Sequence, residues 1–352
     1  MIPVDTAGAN KKGAFSQSNS GKVCMSKAKL AKAICFLTVG VISGIGSPAA
    51  VAQVARIVQE ATPEFQVENQ VFDKPTPKSE NGYLLAFDPI PENAPRLFVF
   101  GPAGSKIFAT QLALDGAVHV VIRDIAASAK GVFAITGGAV DSAGGGINFL
   151  AYLDRQGAVT RVIRLQDFAG RRLCFTDDGR LWLAGTAPIY PGHQAPPDYD
   201  VLRVYDAAGS LQGSFLKRSL FTGNLASGRL HLAANQQSVV LFNSVTGELV
   251  ETSYEGRVGR VMNVPVPATT DVVTGFAVSG ASDIVVSCQP STGVGRTRFL
   301  LLDPKTTVWS EVYSRDQREL DKYSIVLGSQ RTSLLVLTLR PVAKFSWVRL
   351  ER

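Results

Sequence analysis

Cysteine is scarce, with four in 352 residues, two of them (Cys24 and Cys35) in the first 52. A disulfide framework like those that staple small secreted domains is thereby excluded, as are paired CxxC metal sites. Charge is sparse too, at 18% of residues against 45% apolar. That mix excludes a disordered chain and can fill a large core. Three histidines are present, and no HExxH, GxSxG or EF-hand loop occurs. GPAGSK at 101–106 falls short of the GxxxxGK[ST] phosphate loop, and GGG at 144–146 lacks the strand-to-helix context of a dinucleotide site. No cofactor is predicted. Helical periodicity is almost missing. The one charged, helix-like stretch, SRDQRELDK at 314–322, reads as a surface connection.

The formal charge of +7 first suggests a nucleic-acid binder. Residues 1–52, however, hold six lysines, no arginine and a single aspartate, and so carry five of the seven net charges. The remainder shows no basic stripe with interleaved aromatics, so no nucleic-acid partner is expected. The leader reads as a secretory signal. Met25 opens MSKAKLAK, residues 33–46 (AICFLTVGVISGIG) form an apolar run, and Ala50-Val51-Ala52 is a small-x-small site. The run is shorter than the roughly 20 residues of a membrane span, so no stable span is expected after cleavage. Met25 is the expected true start, residues 53–352 are the expected mature domain, and the periplasm or the exterior is the expected location.

Beyond the leader the chain repeats. Turn-plus-strand segments read GYLLAFD from Gly82, GVFAITG from Gly131, GRLWLAG from Gly179, GRLHLAA from Gly228, SDIVVSC from Ser282 and TSLLVLT from Thr332. Their spacings are 49, 48, 49, 54 and 50 residues. Hairpins fall between them, around Gly104, Gly157, Gly209, Gly247 and Thr306. Asp154, Asp206 and Asp303 hold equivalent turn positions, where a carboxylate can accept backbone N–H groups just ahead of it. Each unit of about 50 residues thus holds four strands, A to D, and four-stranded units repeated around an axis make a propeller. An all-β, six-bladed β-propeller with antiparallel blades is predicted. The last blade lacks a D strand, which residues 53–60 (QVARIVQE) would supply by pairing with 345–350, closing the ring.

Units such as FTDDGRLWLAG followed by VYDAAGSLQGSF resemble the six-bladed propellers of the NHL and related families. The likeness covers residues 53–352 and implies architecture, since that fold hosts scaffolds, binding domains, lyases and metal-dependent lactonases. The lactonase-like relatives hold a divalent ion with acidic and amide side chains in the channel. No such positions can be matched here, because strand A of most blades reads small or apolar.

Three B–C connections read as long loops on one face: 137–148, 186–200 and 289–297. Function concentrates on such loops. They offer Tyr190, His193, Asp198, Tyr199 and Asp200, with Asp141 and Arg296 on the other two, as candidate ligand-binding residues. A histidine among carboxylates can serve as a base or metal ligand, and rim aromatics suit sugars or proteins. His119 is placed in a D-type strand and His231 in a B strand, both as packing residues. The leading expectation is a non-enzymatic module binding a protein, glycan or small molecule. The alternative is a channel-centred, metal-dependent hydrolase or lyase. Cys174 and Cys288, placed in strand A of blade three and strand B of blade five, are expected to stay unpaired. Mass spectrometry of exported material should show an N-terminus at or near Gln53, whereas residues 25–52 retained in a membrane fraction would contradict cleavage.

Overall fold

Runs of five to seven mostly apolar residues between turn formers are too short for stable helices and bury well as inner strands of stacked sheets. The computed structural model describes residues 56–61, 65, 76–88, 94–188, 198–222, 225, 229–265, 271–280, 282–292, 296–303, 305–314, 324–338 and 344–351. Strand β1 (Arg56–Ala61) comes first. Blade one is β2 (Thr76–Glu80), β3 (Tyr83–Phe87), β4 (Arg96–Phe100) and β5 (Lys106–Gln111). Blade two is β6 (Ala117–Ala127), β7 (Phe133–Asp141), β8 (Gly146–Leu153) and β9 (Val159–Arg164). Blade three is β10 (Ala169–Phe175), β11 (Leu181–Thr186), β12 (Asp200–Tyr205) and β13 (Leu211–Lys217). Blade four is β14 (Leu230–Ala234), β15 (Ser238–Asn243), β16 (Glu248–Ser253) and β17 (Val258–Asn263). Blade five is β18 (Asp271–Val278), β19 (Ile284–Pro290), β20 (Arg298–Asp303) and β21 (Val308–Ser314). Blade six is β22 (Ser324–Gln330), β23 (Ser333–Thr338) and β24 (Lys344–Glu351), completed by β1.

The chain is a six-bladed β-propeller. Its core is divided among the blade interfaces, and each buried cluster draws on two neighbouring blades. Leu85 and Val99 of blade one meet Ile125 and Phe133 of blade two. Leu84 and Phe100 of blade one meet Leu335 and Phe345 of blade six, which closes the circle. Phe65 adds an edge-on ring contact to Phe345 at 5.0 Å. Strands B and C are covered on both sides, so they read as continuous apolar runs; all six residues of β11 and of β15 are buried. Outer strands such as β9 and β17 are mostly exposed.

β1 pairs antiparallel with β24, Ile57 opposite Leu350 and Gln59 opposite Val348. The same strand also pairs in parallel with β21, Arg56 opposite Tyr313 and Ile57 opposite Ser314. One segment therefore joins blades five and six. Ile57 is buried against Val312, Leu334 and Val348, Ser333 donates to the Glu60 carboxylate, and Arg349 lies 3.6 Å from it. The expected D strand of blade six is present, shifted to Arg56–Ala61.

The turn chemistry follows the repeat. Asp154 Oδ1 accepts from the N–H groups of Gln156 and Ala158, Asp206 Oδ1 from Ser210, and Asp303 Oδ1 from Lys305. Blade four departs from the reading by one strand. GRLHLAA is strand A (β14), so His231 lies in an inner strand, and the hairpin at Gly247 joins B to C. The true A–B turn has no glycine; Asn235 Oδ1 accepts from the N–H groups of Gln237 and Ser238 in its place. The real C–D turn uses Ser253, whose Oγ accepts from Glu255 and Arg257. Adjacent antiparallel strands carry the same apolar pattern, so a missing glycine slides the register by one strand. For the same reason His119 belongs to strand A of blade two, not to a D strand. The helix-like stretch at 314–322 lies outside the described residues apart from Ser314, which ends β21.

Removing residues 53–62 takes away a ladder whose hydrogen bonds are worth roughly 0.5–1.5 kcal/mol each and bares the edge of β24. A chain beginning at residue 63 is expected to aggregate, or to melt about 10 °C or more below one beginning at 53, given roughly 2–4 °C per kcal/mol in large domains. Calorimetry on the two chains measures this, and equal melting would contradict closure by β1. Cys174 and Cys288 are both buried and free, so thiol titration after denaturation should give the same count with and without reductant.

Candidate functional site

Antiparallel order puts the A–B and C–D turns on one face and the B–C and D–A connections on the other. Of the three expected long loops, 137–148 is corrected. Strands β7 and β8 stay paired through Val140 and Gly146, so the segment is a projecting hairpin with a turn at 142–145. Glycine-rich sequence hid continuous ladder pairing. Asp141 builds that turn, its Oδ1 accepting from Ala143 at 2.9 Å and Gly145 at 2.7 Å.

Tyr190 and His193 lie outside the described residues. Asp198, Tyr199 and Asp200 come together against the end of β13. Asp198 Oδ1 accepts from the Ser219 N–H at 3.0 Å, Tyr199 O accepts from the Arg218 N–H at 2.8 Å, and Asp200 pairs with Lys217 at 2.8 Å. Burial raises the pKa of the Tyr199 phenol. Arg296, on blade five, pairs with Glu311 at 2.8 Å. Asp141 lies on blade two and Arg296 on blade five, whereas the Asp198 group belongs to blade three.

Charge that the sequence reading passed over gathers on the axis. The inner edge of each strand A has no neighbouring strand, so its N–H and C=O groups need other partners. Blade three obtains them from side chains of blades one and two. Asp124 Oδ2 accepts from the Leu173 N–H at 2.7 Å, Lys78 Nζ donates to the Leu173 carbonyl, and Glu80 Oε1 accepts from the Phe175 N–H. Three side chains thus stand in for a fifth strand across the channel. Lys78 Nζ also lies 3.3 Å from Asp124 and 3.2 Å from Glu80 Oε2. Further along, Arg172 Nε donates to the Leu230 carbonyl at 2.7 Å, and Arg123 donates to Asn148 at 2.8 Å. Small residues let the strands approach. A Cβ on Gly328 would sit 1.9 Å from Ser79 O, and one on Gly275 would sit 2.1 Å from Val326 O.

This environment sets the protonation states. Burial pushes the Glu80 carboxyl up to about 7, against the opposing pull of Lys78 and the Phe175 N–H. Burial alone would lower Lys78, but Asp124 and Glu80 hold it above its ordinary value. Burial raises the Cys174 thiol well above its usual range, with Glu80 adding to the effect, so it remains neutral. His231 packs with tilted rings against Phe242 and Phe276, which stack on each other, and its Nε2 lies 3.2 Å from Ser244 Oγ. Burial, then the charge of Arg172, lowers its pKa to about 3, which makes it a neutral packing residue. No group of three or more His, Cys, Asp or Glu among the described residues is placed to hold a metal ion.

The signal for the axial charges was TPKSENG, a charged strand just before a repeat turn.

Against solved structures, the chain resembles propellers. A Bacteroides fragilis protein whose description calls it exported matches at TM-score 0.50 and 12% identity, over 87% of this chain and 98% of that one. Virginiamycin B lyase of Staphylococcus aureus matches at 0.44 and 11%, over 84% and 100%. A gluconolactonase of Xanthomonas campestris matches at 0.43 and 14%, over 86% and 93%. At such identities the likeness is one of fold. No protein-family model and no curated protein sequence matches the chain. Among the described residues no helix is long and apolar enough to cross a membrane.

Glu80 gives the axis a pH dependence. Its folded pKa of about 7 stands above the ordinary 4.5, so the folded state holds a proton that the unfolded state releases. The associated stability is present in full below pH 4.5 and is lost as pH rises through 7. It amounts to at most about 3 kcal/mol. Calorimetry from pH 5 to 8 should show a steeper fall in Tm for the wild type than for Glu80→Gln; parallel curves would contradict the assignment.

Proposed function

We propose that the protein is an exported binding module that holds a protein, glycan or small molecule on the face carrying the B–C and D–A connections. The supporting observation is the commitment of the axis. Lys78, Glu80, Asp124 and Arg172, charged side chains of inner strands, hydrogen-bond the inner strand edges of other blades. A channel-centred hydrolase or lyase would need such groups free to meet a substrate.

The opposite rim has longer and more varied connections. Asp198, Tyr199 and Asp200 are held in place by Arg218, Ser219 and Lys217, beside the segment that carries Tyr190 and His193. Asp141 and Arg296 extend this surface on blades two and five. Two exposed aliphatics, Leu220 at 43% and Val245 at 42%, lie on connections of the same face, which suits a partner with a mixed polar and apolar surface. Export to the periplasm or beyond belongs to the same reading, supported by the leader pattern.

The test replaces residues 188–197 with a Gly-Ser linker of equal length and screens both proteins on glycan and peptide arrays. Saturable binding by the wild type, lost in the replacement while Tm stays within about 3 °C, is the expected result. Wild-type binding that survives the replacement would overturn the rim assignment. A stoichiometric metal in elemental analysis of the purified protein would favour the enzyme over the binding module.

A further inference from the structure

Among the described residues, the inner strands of four blades each carry a bulge, a residue with no partner on strand B: Arg123 in β6, Arg171 in β10, Thr274 in β18 and Leu327 in β22. The fold thus accepts a charged, a hydroxylic or an aliphatic side chain at this point, and blade three has no architectural need of an arginine there. The other three side chains are satisfied within the protein. Arg123 donates to Asn148 Oδ1 at 2.8 Å, Thr274 Oγ1 donates to the Ser287 carbonyl at 3.2 Å, and Leu327 is buried in apolar contacts. The Arg171 side chain makes no hydrogen bond or ion pair among the described residues, and its Nε is buried without a partner. Native structures seldom leave a buried donor so.

Arg171 stands near the start of β10, at the rim end of the channel, and is only partly buried. With Nε shielded, its two Nη groups are the part that solvent or a ligand can meet. The surroundings are positive. Burial and then the adjacent Arg172 charge lower the Arg171 pKa, and no carboxylate is among the groups that act on it. The rim acids of this blade are engaged elsewhere, Asp200 with Lys217 and Asp198 with the Ser219 N–H. The Tyr199 phenol lies close enough to interact with both Arg171 and Arg218. Burial keeps it protonated, so its O–H can donate. The missing partner is therefore an anion, and a planar one suits two parallel Nη donors.

We propose that the rim end of the channel binds a carboxylate over blade three, Arg171 Nη1 and Nη2 donating to its two oxygens and the Tyr199 hydroxyl donating to one of them. The inference gives the rim a ligand chemistry and rests on the reading of that rim as the binding face. The carboxylate can belong to an acidic sugar or to the C-terminus of a peptide.

Isothermal titration of the purified protein with glucuronate, and with glucose as the uncharged control, tests it. Saturable binding of glucuronate alone is expected, weakened several-fold between about 50 and about 500 mM NaCl as salt screens a partly exposed charge. Arg171→Leu puts the bulge residue of blade six into blade three, so Tm should stay within about 3 °C, while affinity for glucuronate falls by about tenfold or more. Arg171→Gln, which keeps an N–H donor without the charge, should show the same loss, and Tyr199→Phe should weaken binding several-fold. A short peptide that displaces glucuronate when its C-terminus is free, but not when it is amidated, would assign the carboxylate to a peptide; failure to displace would assign an acidic sugar. Binding of neither glucuronate nor the peptide, equal binding of glucose, or unchanged binding in both Arg171 variants would each overturn the proposal. Uncharged ligands captured on the arrays, and lost when residues 188–197 are replaced, would in that event leave the rim reading standing without the carboxylate.

Discussion

Everything in this molecule depends on closing a ring of sheets that cannot stand singly. No blade covers its own faces, and each buried cluster is shared between two neighbours, as Trp182 of blade three shares one with Val239 of blade four. Such a ring is stable only if the last interface forms, and β1 makes it form. By pairing with both β24 and β21, it ties blade six to blade five and returns the start of the domain to its end. The cost of an open ring is an apolar face on each of two blades, together with an unpaired edge.

Closure creates a second constraint at the axis. Six inner strands converge there, and their inner edges carry backbone groups that no further strand can reach. The protein answers with side chains. Asp124, Lys78 and Glu80 serve β10, Arg172 serves β14, and Ser287 Oγ accepts from the Val326 N–H of β22 at 3.1 Å. Charges that look out of place in a buried channel are there because backbone amides must be satisfied. The same arrangement lifts the Glu80 carboxyl towards neutrality and separates two ends of the channel with different characters. One end is a small mouth lined by Lys78, Glu80 and Cys174, and the other is a rim of longer connections.

Much of the fold was legible in the residues. Glycine-closed turns at Gly82, Gly131 and Gly179 mark strand B of the first three blades, and Asp154, Asp206 and Asp303 mark the outer hairpins. Blade four escaped the pattern because Asn235 and Ser253 perform the turn chemistry that glycine and aspartate perform elsewhere. The projecting hairpin of blade two escaped it because Gly137 and Gly138 read as loop, whereas the ladder runs straight through them. Of the candidate rim residues, Asp198, Tyr199 and Asp200 gather in one place, while Asp141 and Arg296 hold a turn and an ion pair on other blades.

Local pattern by itself determined the strand repeat, the blade number and the need for a strand from the N-terminal side. Each of these rests on spacing along the chain, which turn residues and apolar runs record directly. Tertiary structure alone decided which charges meet. Lys78 and Leu173 are 95 residues apart, and nothing in TPKSENG indicates that its lysine and glutamate will reach across a channel to the backbone of blade three. That meeting depends on how far six sheets tilt and how closely their inner strands approach, a sum of packing over the whole ring that no single segment encodes.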